Sequence, residues 1–257
     1  MIRTFFKYIL FFISVALLFF SCRGGKTSSG ADDTSVVATS SWTAAYAQAA
    51  GAENIVILAP FDMEHPSEYE LRPGDIPKLM DAEVIVYAGY EVMTERLKKG
   101  LDLPQDKLLL VDTDYSYEAI EKSVMNIAVK LGTEEVARKN LSGIRRAFDE
   151  GRDTVNGKQM SGRPVIVHRF QASVAKELGL VPVVLFGPAA PEASEIALAS
   201  GTQASLIIDN LHNPVGLPFR EVLPDTRYVQ LLNFPGLKGT KTLTDVLRYN
   251  VSQIVQD

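Results

Sequence analysis

Three histidines stand in a chain of 257 residues: His65, His168 and His212. Each comes at or after the end of a short apolar run. His65 follows Asn54–Leu58, His168 follows Val165–Val167, and His212 follows Ser205–Ile208. Neutral imidazole is the commonest nitrogen ligand of zinc, so three such rings meeting at one point would hold a borderline-soft cation. Glu68, three residues beyond His65, is the candidate oxygen donor for a fourth position; Glu70 and Asp209 rank below it, and water is the other occupant. With water in that position, Glu68 is also the one evident general base for a zinc hydrolase. The chain carries no Gly-x-Ser-x-Gly nucleophile motif and no glycine-rich phosphate loop. The histidine spacing is not local, so the intervening elements must bring the rings together.

Those elements alternate. Runs at 36–39, 54–58, 83–87 and 107–111 read as strands, with helical stretches at 42–49, 75–80 and 91–99 between them. A second block repeats the rhythm, with strands at 165–167, 181–185, 205–208 and 228–232 and helices at 172–178, 192–200 and 243–254. Between the blocks, residues 116–157 carry no strand signal. Their apolar residues recur at helical spacing through Ile120, Val124, Ile127, Leu141, Ile144 and Phe148, with Gly132 and Gly143 as points of interruption. The pattern predicts an α/β protein of two small doubly wound lobes, 36–115 and 158–257, with mainly parallel sheets. One long helix over 116–157, about 60 Å if unbroken, joins them. Ligands of open α/β sheets bind beyond the C-terminal strand ends, which is where the three histidines fall. Asp75 reads as a helix cap, Trp42 as a packing residue, and Tyr90 and Phe170 as walls of the cleft.

The N-terminus speaks to compartment. Arg3 and Lys7 precede the apolar run Tyr8–Phe20, which is too short to span a bilayer comfortably, and then come Ser21 and Cys22. Residues 1–21 read as a secretory signal. Cys22 is the only cysteine, has no disulfide partner within the chain, and looks like the lipidated residue of a bacterial lipobox. Residues 22–35 are small and polar, a flexible tether. Removing Arg3 and Lys7 with the signal leaves 24 basic against 31 acidic residues, a net charge of −7. With no basic stripe, nucleic acid is excluded as a partner.

The stretch from Pro60 to Glu91, with His65-Pro66, Asp75 opening a helix, Ala82-Glu83 and Gly89-Tyr90-Glu91, resembles the solute-binding proteins of bacterial zinc and manganese ABC importers. So do Val-Ile-Val-His168-Arg-Phe followed by Leu178-Gly179-Leu180, and the stretch Leu232–Asn250. The likeness covers nearly the whole mature chain. It implies two α/β lobes on one rigid helix, His65 and His168 as metal ligands from opposite lobes, and a monomeric, lipid-anchored extracytoplasmic receptor. Such a receptor captures zinc, or alternatively manganese, delivers it to a membrane permease, and performs no catalysis. The chain departs from the family at two positions: no ligand side chain stands at Leu185–Gly187, and Asn233 stands where the family has an Asp. His212 as the third ligand is an expectation from the residues alone. The missing pair also leaves open another occupant for the same fold, a metal chelate or a small anion.

Overall fold

The computed structural model describes residues 35–256. The predicted signal, Cys22 and nearly all of the tether lie outside the described residues. Two four-stranded sheets, every pairing parallel, make up the frame. The first holds β1 (Val36–Ala38), β2 (Ile55–Ile57), β3 (Val84–Tyr87) and β4 (Leu108–Leu110) in the order β2-β1-β3-β4. The second holds β5 (Pro164–His168), β6 (Val181–Phe186), β7 (Leu206–Asn210) and β8 (Arg227–Leu231) in the order β6-β5-β7-β8. The two orders are the same, so each sheet reverses its direction of growth between its first and third strands. That reversal opens a crevice at the C-terminal strand ends.

Strands buried on both faces read as continuous apolar runs, and β3 and β5 do. Helices α1 (Ser41–Ala49) and α2 (Asp75–Asp81) serve the first sheet. Ser40 caps α1, its hydroxyl accepting from the Thr43 amide while the Thr43 hydroxyl accepts from the Ser40 amide. Asp75 departs from its expected capping role: Gly74 holds the cap position, and the Asp75 carboxylate accepts from the Tyr69 hydroxyl and the Arg72 amide instead.

The connection between lobes also differs from a single helix over 116–157. It is two helices, α3 (Tyr117–Leu131) and α4 (Glu134–Gly157). Gly132, with φ of 69°, ends the first in the left-handed conformation that closes helices. Gly143 lies inside α4 without interrupting it. The long connecting helix is thus α4 alone, 24 residues or about 36 Å. Its buried stripe (Ala137, Leu141, Ile144, Phe148, Val155) packs on α3 and on α8 (Leu243–Val255), the last helix of the second lobe. Short helices α5 (Ala172–Glu177), α6 (Ala193–Ser200) and α7 (Phe219–Val222) complete that lobe.

One apolar core cluster runs through both lobes, taking in Val84 and Val86 of β3, Phe148 of α4, Val165 and Val167 of β5, and Ile254 of α8. Each lobe keeps a smaller cluster on the opposite face of its sheet. Polar ties add to the shared core. The Ser41 hydroxyl donates to the Pro235 carbonyl at 2.6 Å, and the Tyr117 amide donates to the Glu177 carboxylate at 3.2 Å. A core common to both halves restrains their relative motion, because shifting one against the other would open packed apolar surface.

Candidate metal centre

A cavity of about 760 Å³ lies where the C-terminal ends of the two sheets meet. Loops after seven of the eight strands reach it, those after β6 excepted. Ser40 and Trp42 come from the end of β1, His65 and Glu68 from the loop after β2, Tyr90 and Glu91 from the loop after β3, and Thr113 and Asp114 from beyond β4. The second lobe supplies Arg169, Phe170, His212, Asn233 and Phe234.

His65 stands exposed at the start of a 3-10 turn, Pro66–Glu68. The Ser67 carbonyl of that turn accepts from the Val92 amide at 2.9 Å, tying the turn to the loop after β3. Glu68 lies one turn residue on, also exposed and also lining the cavity. Glu91 lines the cavity but is already committed. Its buried carboxylate accepts from the Thr39 hydroxyl at 2.6 Å and from the Ala88 and Gly89 amides at 2.8 and 2.6 Å. It ties the loop ends of β1 and β3 at the point where the sheet order reverses. Asp209 is likewise committed, to the Tyr228 hydroxyl at 2.6 Å and the Gly216 amide at 2.7 Å. Glu70 does not line the cavity.

His212 follows β7, its backbone amide donating to the Asn210 side-chain oxygen at 3.1 Å. Its ring is 3% exposed, and neither ring nitrogen has a hydrogen-bond partner. Burial pushes its pKa down to about 4. The facing carbonyls of Glu64 and Phe234 resist that fall without reaching hydrogen-bond geometry, and a charge on His65 adds to it. The ring is therefore neutral at any ordinary pH, the form that ligates a metal. His65 and His212 line the same cavity from opposite lobes.

His168 behaves differently. It is 0% exposed and does not line the cavity. Strand alternation accounts for this. Along β5, Val165 and Val167 face the shared core, while Ile166 and with it His168 turn to the face covered by Phe186 and Phe219. The His168 ring sits 5.5 Å from that of Phe186, edge-on, and 5.0 Å from that of Phe170. Its Nδ1 accepts from the Phe170 amide at 3.2 Å, and its Nε2 has no hydrogen-bond partner. Gly187, with φ of 79°, lies so close that a Cβ there would meet Nε2 at 2.3 Å. Burial lowers the pKa of this ring, against the pull of Asp209.

Of the expected ligands, then, His65, His212 and Glu68 share the cavity and His168 lies behind its wall. Among the described residues no group of three or more His, Cys, Asp or Glu side chains is set to hold a metal ion by itself. Asn233 lines the cavity with its side-chain oxygen accepting from Gln171. Sequence reasoning missed the role of Trp42, which is part of the wall: its ring lies 5.2 Å from Phe234 and 6.5 Å from Tyr90. Its position just after the first strand was the signal that could have found it.

No family model matches the chain, and no curated protein matches it. Solved structures do. The solute-binding protein FpvC from Pseudomonas aeruginosa, in complex with a nickel ion, superposes with a TM-score of 0.67 at 17% identity, over 86% of this chain and 96% of that one. The chain shares that fold. The manganese-bound and cadmium-bound periplasmic metal-binding protein of Candidatus Liberibacter asiaticus each superpose with a TM-score of 0.62 at 17% identity, over 86% of this chain and 98% of theirs. Those neighbours are periplasmic binding proteins, in keeping with two lobes and a cleft. Among the described residues no helix is long and apolar enough to cross a membrane.

Proposed function

We propose that this protein is an extracytoplasmic receptor that captures a transition-metal ion in the cleft between its lobes and hands it to the permease of an ABC importer. Zinc is the first choice of ion and manganese the second, since imidazole donors favour zinc and oxygen donors manganese. His212 carries the reading. A buried, neutral imidazole with both nitrogens unpartnered is costly to keep unless something binds it, and its ring lies in the wall of a cavity that also receives His65. His65 and His212 are the proposed nitrogen ligands and Glu68 the proposed oxygen donor, with the remaining positions filled by donors that arrive with the ion. His168 joins this set only on movement of the Phe170 ring and the Gly187 backbone that cover it. The metal-bound neighbours of the same fold support the choice of ligand class. The protein is a monomer, anchored to the membrane through lipid on Cys22.

Titration calorimetry tests this. Zinc is expected to bind at one ion per chain, with affinity reduced at least tenfold in His65→Ala and in His212→Ala. Wild-type affinity in both variants rejects the site.

A further inference from the structure

We infer that the cleft takes its metal as a complex with an organic chelator carrying an aromatic ring, rather than as a bare ion; this rests on the receptor reading above. Three observations lead there. A metal ion with six waters fills roughly 200 Å³, at about 30 Å³ per water. The cavity is about 760 Å³, in the range of pockets for small organic ligands. Second, among the described residues no three His, Cys, Asp or Glu side chains stand grouped to hold an ion, so an ion held by His65, His212 and Glu68 keeps positions open for donors that arrive with it. Third, one wall is aromatic from end to end. His212 stacks on Phe234, Phe234 neighbours Trp42, and Trp42 neighbours Tyr90, at centroid distances of 3.7, 5.2 and 6.5 Å. Tyr90 is 54% exposed and Phe170, also at the cavity, 51% exposed. Such faces are what a planar ring stacks on, and they give nothing to a hydrated cation that a carboxylate would not give better.

The lining carries Glu64, Glu68, Glu91 and Asp114 against one guanidinium, so its charge suits a complex without net negative charge. The Arg169 guanidinium lines the same cavity, held by the Gly187 carbonyl at 3.0 Å and by Glu195 at 3.5 Å, with its side chain half exposed. An anionic group on the chelator can meet it at the rim while the metal reaches His65 and His212. The ligand class is therefore a one-to-one complex of a transition-metal ion with an aromatic chelator, without net negative charge overall, in which open coordination positions on the metal accept the imidazoles.

Trp42 is the only tryptophan in the chain and stands in this wall, so its fluorescence reports occupancy directly. The probes are bare zinc, the one-to-one zinc complex of 8-hydroxyquinoline-5-sulfonate, and the one-to-one zinc complex of iminodiacetate, a chelate of the same net charge with no ring. Each is titrated into the wild-type protein and into the Tyr90→Ala variant, whose substituted side chain is exposed and whose folding is checked by circular dichroism. The aromatic complex is expected to bind at least tenfold tighter than either other probe. The Tyr90→Ala variant should lose most of that advantage and keep its affinity for bare zinc. Equal binding of all three probes, binding of the chelator equally well without metal, or an advantage that survives in the variant overturns this inference and leaves the receptor reading standing. Failure of the wild-type protein to bind zinc in any form overturns both.

Discussion

The imidazole of His212 lies on the ring of Phe234, centroids 3.7 Å apart and planes inclined by 24°. The stack presses a proposed ligand against a wall residue from the neighbouring strand end, so the ring's orientation depends on Phe234. Phe234→Ala is expected to destabilise the protein by about 3–4 kcal/mol, as for other buried phenylalanines. It should also weaken zinc binding through the freed His212 ring. Denaturant melts and zinc titration of the same variant measure the two effects, and a stability loss with unchanged zinc affinity would separate the stack from the site.

His168 gives a sharper contrast. Behind Phe170 and Gly187, it is expected to leave zinc affinity within about twofold when changed to leucine, while His212→Leu lowers it at least tenfold. Calorimetry of both variants decides the matter. A tenfold loss in His168→Leu would mean that the wall opens on binding and that this ring is a ligand.

Gly187 and His168 also predict a stability effect. A side chain at Gly187 must adopt a φ of 79° and meet the His168 ring at 2.3 Å. Gly187→Ala is expected to cost about 3 kcal/mol, part backbone strain and part overlap. Only the overlap depends on His168, so the double-mutant cycle with His168→Ala should show a coupling of about 1 kcal/mol or more. Additivity in urea unfolding would contradict the close approach.

The pH dependence of the metal-free protein follows from His212. In the folded chain its pKa is pushed down to about 4, against an ordinary 6.5, so between these values the unfolded state binds a proton that the folded state does not. Stability is therefore complete above about pH 6.5 and falls as pH drops toward 4. The full difference corresponds to roughly 3 kcal/mol. His168, lowered in the same direction, adds to it. Chemical denaturation at pH 7.5, 6 and 5 should give a smaller decline in His212→Asn than in wild type, and equal declines would remove His212 as the cause.

The proposed lipid on Cys22 carries a prediction about location. Cys22→Ser is expected to move the protein from the membrane fraction to the soluble extracytoplasmic fraction, because a lipid anchor needs the thiol. Fractionation of cells expressing each form tests it, and unchanged membrane retention would point to some other attachment.

Much of this was legible from residue types and spacing. The runs at 36–39, 83–87 and 205–208 become β1, β3 and β7 within two residues, because uninterrupted apolar stretches of that length have few other uses in an α/β chain. The helical stripe of 116–157 was equally plain. Its break at Gly132 was less so, since Gly132 and Gly143 look alike in sequence and only one takes the left-handed turn. The two-lobed plan and the position of all three histidines at or beyond strand ends came from the chain alone.

What only the tertiary structure decided is which way those side chains turn. In Val165-Ile166-Val167-His168 every residue is buried, so alternation by itself does not say which face meets the cleft. The packing of Phe186 and Phe219 against Ile166 settles it and carries His168 away from the cavity. His212 sits in a loop, free of that constraint, and the stack on Phe234 holds it in the wall. A sequence fixes where strands end through local hydrophobic pattern. The direction of a side chain at that end depends on neighbours brought in from distant parts of the chain.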